Sequence, residues 1–283
     1  MSPATSKPAA LSVSGFDPSG GAGTLADLKT FAAHDCYGVA AVTAVTAQNT
    51  REVGRVSPVE AGLLRSQLKM LLEDIGVAGI KVGLLGSKRN LETTAECLAA
   101  RPGLPIVTDP NLHSASGAGP VSRNDLDDFR RLIFPLAHVL TPNAAEAGLL
   151  LGIGVSTLEE MKGAAKLLHE QGVRHVVVTG GHLEKPADVF YEGQELEVFT
   201  GLRPESQRPR GLGCTFSSAI LANLIHGKPA RESVVLAKAY LSQAIARAYP
   251  IGTGRASLNH LFRFAEAPVR AGGPEVLHEG PHR

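Results

Sequence analysis

The segment LSVSGFDPSGGAGTLADLKTF (residues 11–31) determines the predicted fold class. It begins with a short apolar run at 11–14, continues through a turn that contains four glycines, and leads into a helical pattern that starts near Thr24. A strand joined to a helix by a glycine-rich turn is the first half of a βαβ unit. Ligands of open α/β sheets bind beyond the carboxyl ends of the strands, where glycines let backbone N–H groups approach them. We therefore expect either a binding loop at 15–23 or a plain turn, since the segment matches neither the Walker A string nor G-x-G-x-x-G.

The rest of the chain repeats this alternation of short strands and longer helices, which predicts a mostly parallel sheet. Ser57 and Glu60 form a capping-box pattern that predicts a helix start, and a leucine stripe follows it. A second box at 156–159 begins a helix that we expect to end at Gly172. Further strands are predicted at 39–45, 79–82, 106–108, 138–140 and 176–178, with a hairpin at 188–191 and 195–199 and helices over 214–248.

The composition argues against several classes of partner. The 283 residues carry a net charge of +1 and only nine Phe, four Tyr and no Trp, so a nucleic-acid partner is not expected. The longest weakly polar stretch, 38–47, is too short to cross a bilayer, and the first residues lack a signal-peptide pattern. Three cysteines without a C-x-x-C spacing fit a reducing compartment, and the ten histidines have no zinc-ligand spacing. We expect a cytoplasmic protein without a membrane partner or structural zinc.

Length and patterning favour one domain over two. A typical domain has about 100–200 residues, so the chain length alone allows either. No linker interrupts the pattern between residues 10 and 262, and we therefore predict a single domain over 10–262. We expect disordered tails at 1–9 and 265–283 and a loop at 200–213.

Two further clusters carry chemistry. The stretch GLGCTFSSA (211–219) stands at the start of a predicted helix, whose free N–H groups and dipole form an anion site and would lower the pKa of Cys214. Cys214 is then a candidate base or nucleophile, and the alternative is a small buried cysteine in a closely packed helix. Asp109 and Glu146 follow neighbouring strands and could hold Mg²⁺ beside a polyphosphate. Turn initiation by Asp109 and helix capping by Glu146 are the alternatives.

These motifs together resemble the hydroxymethylpyrimidine/phosphomethylpyrimidine kinases of thiamine biosynthesis. The resemblance covers about residues 10–262, and its specificity comes from the order and spacing of the motifs. The motifs are SGFDPSGGAG (14–23), ADLKT (26–30), TAQNT (46–50), KVGLLGS (81–87), DP (109–110), TPNAAE (141–146), GGH (180–182), GLGCTFSSA (211–219) and GTGRASLNH (252–260).

The resemblance implies an α/β fold of the ribokinase-like type, a three-layer sandwich in which helices flank a central, mostly parallel sheet. It implies an enzyme that uses ATP and Mg²⁺ to phosphorylate the hydroxymethyl group of 4-amino-5-hydroxymethyl-2-methylpyrimidine and then the resulting monophosphate. It also implies a homodimer. Two alternatives stay open. One is a pyridoxal or pyridoxine kinase, because related kinases share the fold and their substrates are heteroaromatic alcohols of similar size. The other is a non-catalytic pyrimidine-binding regulator.

The resemblance also assigns roles to individual residues. Cys214 takes the position of the catalytic base, and Gly211 and Gly213 bring backbone N–H groups to the transferred phosphoryl group. Without the resemblance, Asp27 reads as an exposed helix carboxylate and Gln48 as a polar strand end. The remaining implied contacts are Gly15, Asp27 and Gln48 with the pyrimidine, Asn143, Glu146, Gly181 and Leu212 with the nucleotide, and Asp109 and Glu146 with Mg²⁺.

The sequence departs from the family pattern at the ligand contacts. Leu212 stands where a small polar residue is usual, and Arg210 adds a positive charge that could meet a phosphate. Thr179 replaces the Lys that usually precedes G-G-H, Phe16 replaces a common Ser, and 111–117 lacks the usual Lys. The changed lid at 111–117 bears on the second phosphorylation more than on the first. Leu212 and Thr179 motivate the non-catalytic alternative.

Overall fold

Strands and helices alternate along the chain in the computed structural model, which describes residues 7–112, 123–181, 183, 186–200 and 209–264. The lid at 113–117, most of the loop at 200–213 and the tail at 265–283 lie outside these residues. The strands are β1 (Ala9–Phe16), β2 (Tyr37–Gln48), β3 (Val53–Pro58), β4 (Val77–Val82), β5 (Ile106–Thr108), β6 (Val139–Leu140), β7 (His175–Gly180), β8 (Ala187–Tyr191) and β9 (Leu196–Thr200). The helices are α1 (Gly23–Ala33), α2 (Ala61–Asp74), α3 (Lys88–Ala99), α4 (Arg123–Ile133), α5 (Ala144–Leu151), α6 (Leu158–Glu170), α7 (Leu212–Ile225) and α8 (Ala230–Ala246).

The strands form one nine-stranded sheet in the order β3-β2-β1-β4-β5-β6-β7-β8-β9. The strands from β2 to β7 in this order pair in parallel. Strand β3 at one end and strands β8 and β9 at the other pair antiparallel with their neighbours. The carboxyl ends of the parallel strands therefore meet along one edge of the sheet, which is where ligands of such folds bind.

Helices cover both faces of the sheet. Val176 and Val178 of β7 pack in a core with helices α2 to α6, and Val177 between them packs in a second core with α1, α7 and α8. Because both faces of this strand are buried at 176–178, its sequence there is an uninterrupted run of valines. The predicted α/β three-layer sandwich with a central, mostly parallel sheet is confirmed. Within the described segments, no helix combines the length and apolar character needed to cross a membrane.

The predicted helix start at Ser57 is wrong. Residues 57–58 belong to β3, whose backbone pairs antiparallel with β2, so they are not available to cap a helix. The N-cap of α2 is Glu60 itself, whose carboxylate accepts two first-turn N–H groups, each at 2.9 Å. The leucine stripe is confirmed in part, since Leu64 and Leu68 are fully buried.

Two other boundaries differ by one residue from the prediction. The capping box of α6 consists of Thr157 and Glu160 rather than the pair at 156–159. The helix stops before Gly172 as predicted, and this glycine adopts a φ of +103°. Strand β1 begins at Ala9, inside the predicted tail, because its backbone already pairs with β2 and β4 there. None of these shifts moves the carboxyl ends of the strands.

Candidate active site

A cavity of about 850 Å³ opens at the carboxyl ends of β5, β6 and β7. Its walls come from the segments after these strands, the turn after β2, the first turn of α7, one side of α8 and Arg255 beyond it. The predicted pyrimidine contacts Gly15, Asp27 and Gln48 are not among the described residues that line it. The predicted site residues in its walls are Asp109, Asn143, Glu146, Gly181, Gly211, Leu212, Gly213 and Cys214.

Close backbone approach defines the N-terminus of α7. Gly211 is the N-cap and adopts a left-handed φ of 75°. A Cβ on Gly211 would lie 1.9 Å from the carbonyl oxygen of Gly21, in the glycine-rich loop that follows β1. A Cβ on Gly213 would lie 3.1 Å from Oδ2 of Asp109. These glycines bring the free N–H groups of the first turn up to both neighbours, as a phosphate site requires.

We expect the Gly211→Ala variant to lose both stability and activity. The left-handed backbone alone costs an Ala about 1–3 kcal/mol, and the contact with Gly21 forces the first turn of α7 to move. Gly163→Ala is the matched control, because Gly163 is exposed in α6 with open space around it. That control should gain about 0.5–1 kcal/mol from helix propensity. Urea unfolding midpoints measure both changes, and equal midpoints for Gly211→Ala and the parent chain would contradict this geometry.

Asp27 lies in a fully buried polar cluster rather than on an exposed helix face. Its Oδ2 accepts hydrogen bonds from Ser12 Oγ at 2.6 Å and Lys81 Nζ at 3.1 Å. Its Oδ1 accepts from Ser218 Oγ at 2.8 Å. Reading Asp27 as an exposed carboxylate is therefore wrong. Its predicted contact with the pyrimidine stays a prediction, since protein groups already occupy both oxygens.

Lys81 is a site residue that the sequence motifs did not predict. It is fully buried in β4, and its ammonium forms an ion pair with Asp27. Burial by itself lowers the pKa of Lys81, but the charges of Asp27, Cys214 and Asp109 outweigh it and raise that pKa above its ordinary value. Lys81 is therefore a fixed cation beneath the cavity. A lysine inside an otherwise apolar strand was the signal, because buried lysines are rare unless they are paired.

The predicted lowering of the Cys214 pKa is wrong for the protein without ligands. Burial raises the pKa of Cys214 to about 12, and the positive charge of Lys81 opposes this only in part. Asp27 and Asp109 raise it further through their negative charges. The thiol also hydrogen-bonds to Asp109. Cys214 thus retains its proton at neutral pH until its surroundings become more positive.

Asp109 and Glu146 form a pair of buried carboxylates at the ends of adjacent strands. Glu146 completes the capping box of α5, where its Oε2 accepts the Asn143 N–H at 2.9 Å and its Oε1 accepts the Leu112 N–H at 3.2 Å. Burial, followed by the charge of Asp109, raises the pKa of Glu146 to about 7. Burial likewise raises the pKa of Asp109, although Lys81 opposes it. A cation between these groups would relieve both shifts.

This carboxylate pair fits Mg²⁺ better than a metal held by protein ligands alone. No cluster of three or more His, Cys, Asp or Glu side chains that could hold a metal occurs among the residues described. Mg²⁺ usually takes one or two carboxylates and completes its octahedron with water and substrate phosphates. Asp109 and Glu146 face a cavity large enough to admit such phosphates.

The predicted acceptor contacts lie on the other side of α7. Gly15 and Gln48 are at the carboxyl ends of β1 and β2, which are neighbours in the sheet. Thr46 Oγ1 joins the two ends by donating to the Phe16 carbonyl at 2.9 Å. Helix α7 packs against β1, β4 and β5. Its N-terminus therefore separates the ends of β1 and β2, where the acceptor contacts are predicted, from the ends of β6 and β7, where the nucleotide contacts are predicted.

A second cation, Lys238 of α8, lies near the carboxyl end of β7, although position 179 carries a threonine and no positive charge. Thr179 pairs across the antiparallel ladder with Asp188, whose Oδ1 accepts the Gly180 N–H at 3.1 Å. The other oxygen of Asp188 forms an ion pair with Lys238 of α8. Thr179, Asp188 and Lys238 all line the cavity. The sequence pattern indicates the missing lysine at position 179 but does not predict Lys238.

A central parallel sheet with a phosphate-type helix N-terminus and paired carboxylates at its carboxyl edge defines a small-molecule kinase of the ribokinase-like fold. The family model for phosphomethylpyrimidine kinase matches residues 17–259. The chain belongs to this family, as the motifs predicted.

Known relatives cover nearly the whole chain. The hydroxymethylpyrimidine/phosphomethylpyrimidine kinase of Aquifex aeolicus is 36% identical over 247 residues, which are 87% of this chain and 97% of that protein. The pyridoxal kinase of Staphylococcus aureus, solved in complex with ADP, has a TM-score of 0.84 and 31% identity, covering 91% of this chain and 94% of that chain. The phosphomethylpyrimidine kinase of Clostridium difficile has a TM-score of 0.74 and 32% identity, covering 84% and 100% respectively.

Proposed function

We propose that this chain transfers the γ-phosphoryl group of ATP to the hydroxymethyl group of 4-amino-5-hydroxymethyl-2-methylpyrimidine, and then phosphorylates the resulting monophosphate, in thiamine biosynthesis. Membership of the phosphomethylpyrimidine kinase family supports both steps, as does the name of the Aquifex relative. The observation that carries the proposal is the position of Cys214 and the α7 N-terminus between the acceptor side at β1 and β2 and the nucleotide side at β6 and β7.

In this reaction the acceptor hydroxyl attacks the γ-phosphorus, its proton passes to the sulfur of Cys214, and ADP leaves as the bridging bond breaks. The N–H groups at Gly211 and Gly213 stabilise charge on the transferred phosphoryl group. The base must be the thiolate. Burial opposes the thiolate, Lys81 favours it, and the charge of Asp109 opposes it. This last effect weakens when Asp109 shares its charge with a bound cation.

We infer that Asp109 and Glu146 hold Mg²⁺ and that Asn143, Gly181 and Leu212 contact the nucleotide. When bound, the ion supplies charge neutralisation between the phosphate oxygens. The support is the raised pKa of both carboxyl groups and their place in the wall of the cavity. Leu212 lines this cavity at the first position of α7, where its backbone N–H is one of the free N–H groups of the first turn.

Mg²⁺ binding should weaken as the pH falls below 7. The pKa of Glu146 is raised to about 7, so the ion must displace a proton at lower pH, and its affinity should fall by up to about tenfold per pH unit. Calorimetric titration of Mg²⁺ with a non-hydrolysable ATP analogue, from pH 5.5 to 8.5, measures this slope. Glu146→Gln should remove it. Glu160→Gln is the control, since Glu160 is an exposed capping residue of α6. A slope that persists in Glu146→Gln would assign the proton to another group.

Pyridoxal is the second candidate acceptor. It is favoured by the TM-score of 0.84 with the Staphylococcus pyridoxal kinase, which exceeds the 0.74 of the Clostridium phosphomethylpyrimidine kinase. A coupled assay of ADP release with hydroxymethylpyrimidine, its monophosphate and pyridoxal separates the two functions. We expect turnover of both pyrimidines at a higher kcat/KM than for pyridoxal. Turnover of pyridoxal alone would reject the proposal.

The non-catalytic alternative has less support, because Cys214, Asp109 and Glu146 line one cavity. Calorimetry with Mg-ATP decides it, since a regulator that lost nucleotide binding would give no heat.

We further propose a single domain over 10–262, supported by the one sheet that joins β1 to β9. A cytoplasmic location is supported by the free state of Cys36, Cys97 and Cys214. A homodimer rests on the family resemblance alone, and light scattering on the purified protein measures it.

A further inference from the structure

Three arginines line the cavity on the side of β2, and the family resemblance assigns a site role to none of them, although Arg255 lies within the motif at 252–260. They are Arg51 in the turn after β2, Arg210 just before α7, and Arg255 in the segment after α8. Within the described part of the chain, none of the three forms an ion pair with a carboxylate. No ion pair to a carboxylate therefore neutralises the charges of these three guanidinium groups within the described residues.

Backbone hydrogen bonds hold the three arginine-bearing segments together. The Arg255 N–H donates to the Thr50 carbonyl at 2.9 Å, so Arg255 lies beside the residue that precedes Arg51. The Arg210 N–H donates to the Ala256 carbonyl at 3.3 Å, and the Arg210 guanidinium donates to the carbonyl of Asn49. The approach is close enough that a Cβ on Gly254 would lie 2.3 Å from the Thr50 carbonyl oxygen. Contacts between main-chain segments therefore hold the three arginines near one another.

Arg210 and Arg255 are close enough to repel each other. Burial lowers the pKa of Arg210, and the charge of Arg255 lowers it further, while Asp17 opposes this. The carboxylate of Asp17 is already occupied, since it accepts hydrogen bonds from the N–H groups of Ser19 at 2.9 Å and Ala22 at 3.0 Å. Glu52 also lines the cavity beside Arg51. Like charges held together in a cavity are favourable when an anion binds between them.

The position of the cluster in the fold favours the acceptor over the nucleotide as its ligand. Arg51 follows β2, whereas the nucleotide side of the cavity follows β6 and β7. Strands β2 and β7 are five positions apart in the sheet, which is roughly 24 Å at about 4.8 Å per strand. The N-terminus of α7 lies between them. A phosphate on the acceptor would reach the arginines while the γ-phosphoryl group of the nucleotide lies at α7.

We propose that Arg51, Arg210 and Arg255 form a binding site for the phosphate group of a monophosphorylated acceptor, and so determine the second phosphorylation. This inference rests on the proposed function. It assigns to these residues the cationic contact that the sequence of the 111–117 lid does not supply. Guanidinium groups suit this task because they bind phosphate oxygens with two parallel hydrogen bonds.

The test compares the two pyrimidine acceptors in variants that remove the cluster's charge. Arg51→Gln, Arg255→Gln and the double variant are assayed with Mg-ATP and either the alcohol or the monophosphate, with products separated by anion-exchange chromatography. Each lost charge-assisted contact should lower kcat/KM for the monophosphate by roughly 10- to 100-fold relative to the alcohol. Arg255→Lys should retain part of this preference. Arg101→Gln is the control, since Arg101 is exposed after α3 at the opposite edge of the sheet.

Several outcomes would overturn the inference. An unchanged ratio of the two kcat/KM values in the double variant would show that the arginines do not bind the acceptor phosphate. A rise in KM for ATP equal to the loss with the monophosphate would assign the cluster to the nucleotide. A parent enzyme that phosphorylates the alcohol but not the monophosphate would reject the site while leaving the first step intact. A parent enzyme inactive on both pyrimidines would instead reject the proposed function.

Discussion

We expect Cys214→Ala to lower turnover by about 10²- to 10⁴-fold, the usual contribution of a general base, while pyrimidine and nucleotide binding change little. Cys214 is the buried thiol at the α7 N-terminus, within the fields of both Lys81 and Asp109. Ala removes the proton acceptor and leaves the backbone N–H groups of the first turn in place. Steady-state kinetics with the alcohol gives kcat, and calorimetry gives the binding constants.

The matched control for this prediction is Cys97→Ala. Cys97 lies in α3 and is a free, half-buried cysteine that does not line the cavity. Its loss should leave kcat unchanged. Cys214→Ser separates the base from simple packing, because a hydroxyl keeps the approximate size, while its much higher pKa leaves almost none of it ionised to accept a proton. If Cys214→Ala turned over at the rate of the Cys97 control, Cys214 would not be the base.

Lys81→Met should destabilise the protein by about 3–5 kcal/mol, because it leaves the buried charge of Asp27 without its cation. Both side chains are fully buried, and the hydrogen bonds from Ser12 and Ser218 do not replace the missing charge. The double variant Lys81→Met/Asp27→Asn should recover most of this loss, since it removes both charges together. Free energies of unfolding from urea titrations measure the cycle.

Lys228→Met provides the control for the buried pair. Lys228 forms an exposed ion pair with Glu232, and each side chain is 45% exposed. Such pairs contribute at most about 1 kcal/mol. If Lys81→Met cost no more than Lys228→Met, the ion pair between Asp27 and Lys81 would not hold in solution. If the double variant were no more stable than Lys81→Met, the loss would come from packing and not from unpaired charge.

Sequence patterns predicted the elements whose signals lie within the element itself. Strand β7 was found because it is buried on both sides, and α6 because its capping residues and terminal glycine agree. Strand β3 was missed because its last residues, Ser57 and Pro58, resemble the start of a helix. Only its pairing with β2 makes them a strand, and that contact is not local in sequence.

The site residues that could be predicted are those whose place after a parallel strand already puts them at the edge of the sheet where ligands bind. Asp109 and Glu146 were identified because residues after parallel strands meet at one edge. Lys81 was not, because its role depends on a partner 54 residues away. The direction of the Cys214 pKa shift was wrong because two effects of different size compete. A helix dipole contributes about 0.3–1 kcal/mol, whereas full burial shifts a pKa by up to about 3–5 units.

Competition between two acceptors for limiting ATP shows directly whether the enzyme phosphorylates the pyrimidine in preference to pyridoxal. Equal concentrations of hydroxymethylpyrimidine and pyridoxal are mixed with the enzyme and a small amount of Mg-ATP, and the phosphorylated products are separated and counted. We expect the pyrimidine monophosphate to predominate early and then to be converted to the diphosphate as more ATP is added. A product consisting of pyridoxal phosphate, with the pyrimidine left unphosphorylated, would contradict this expectation.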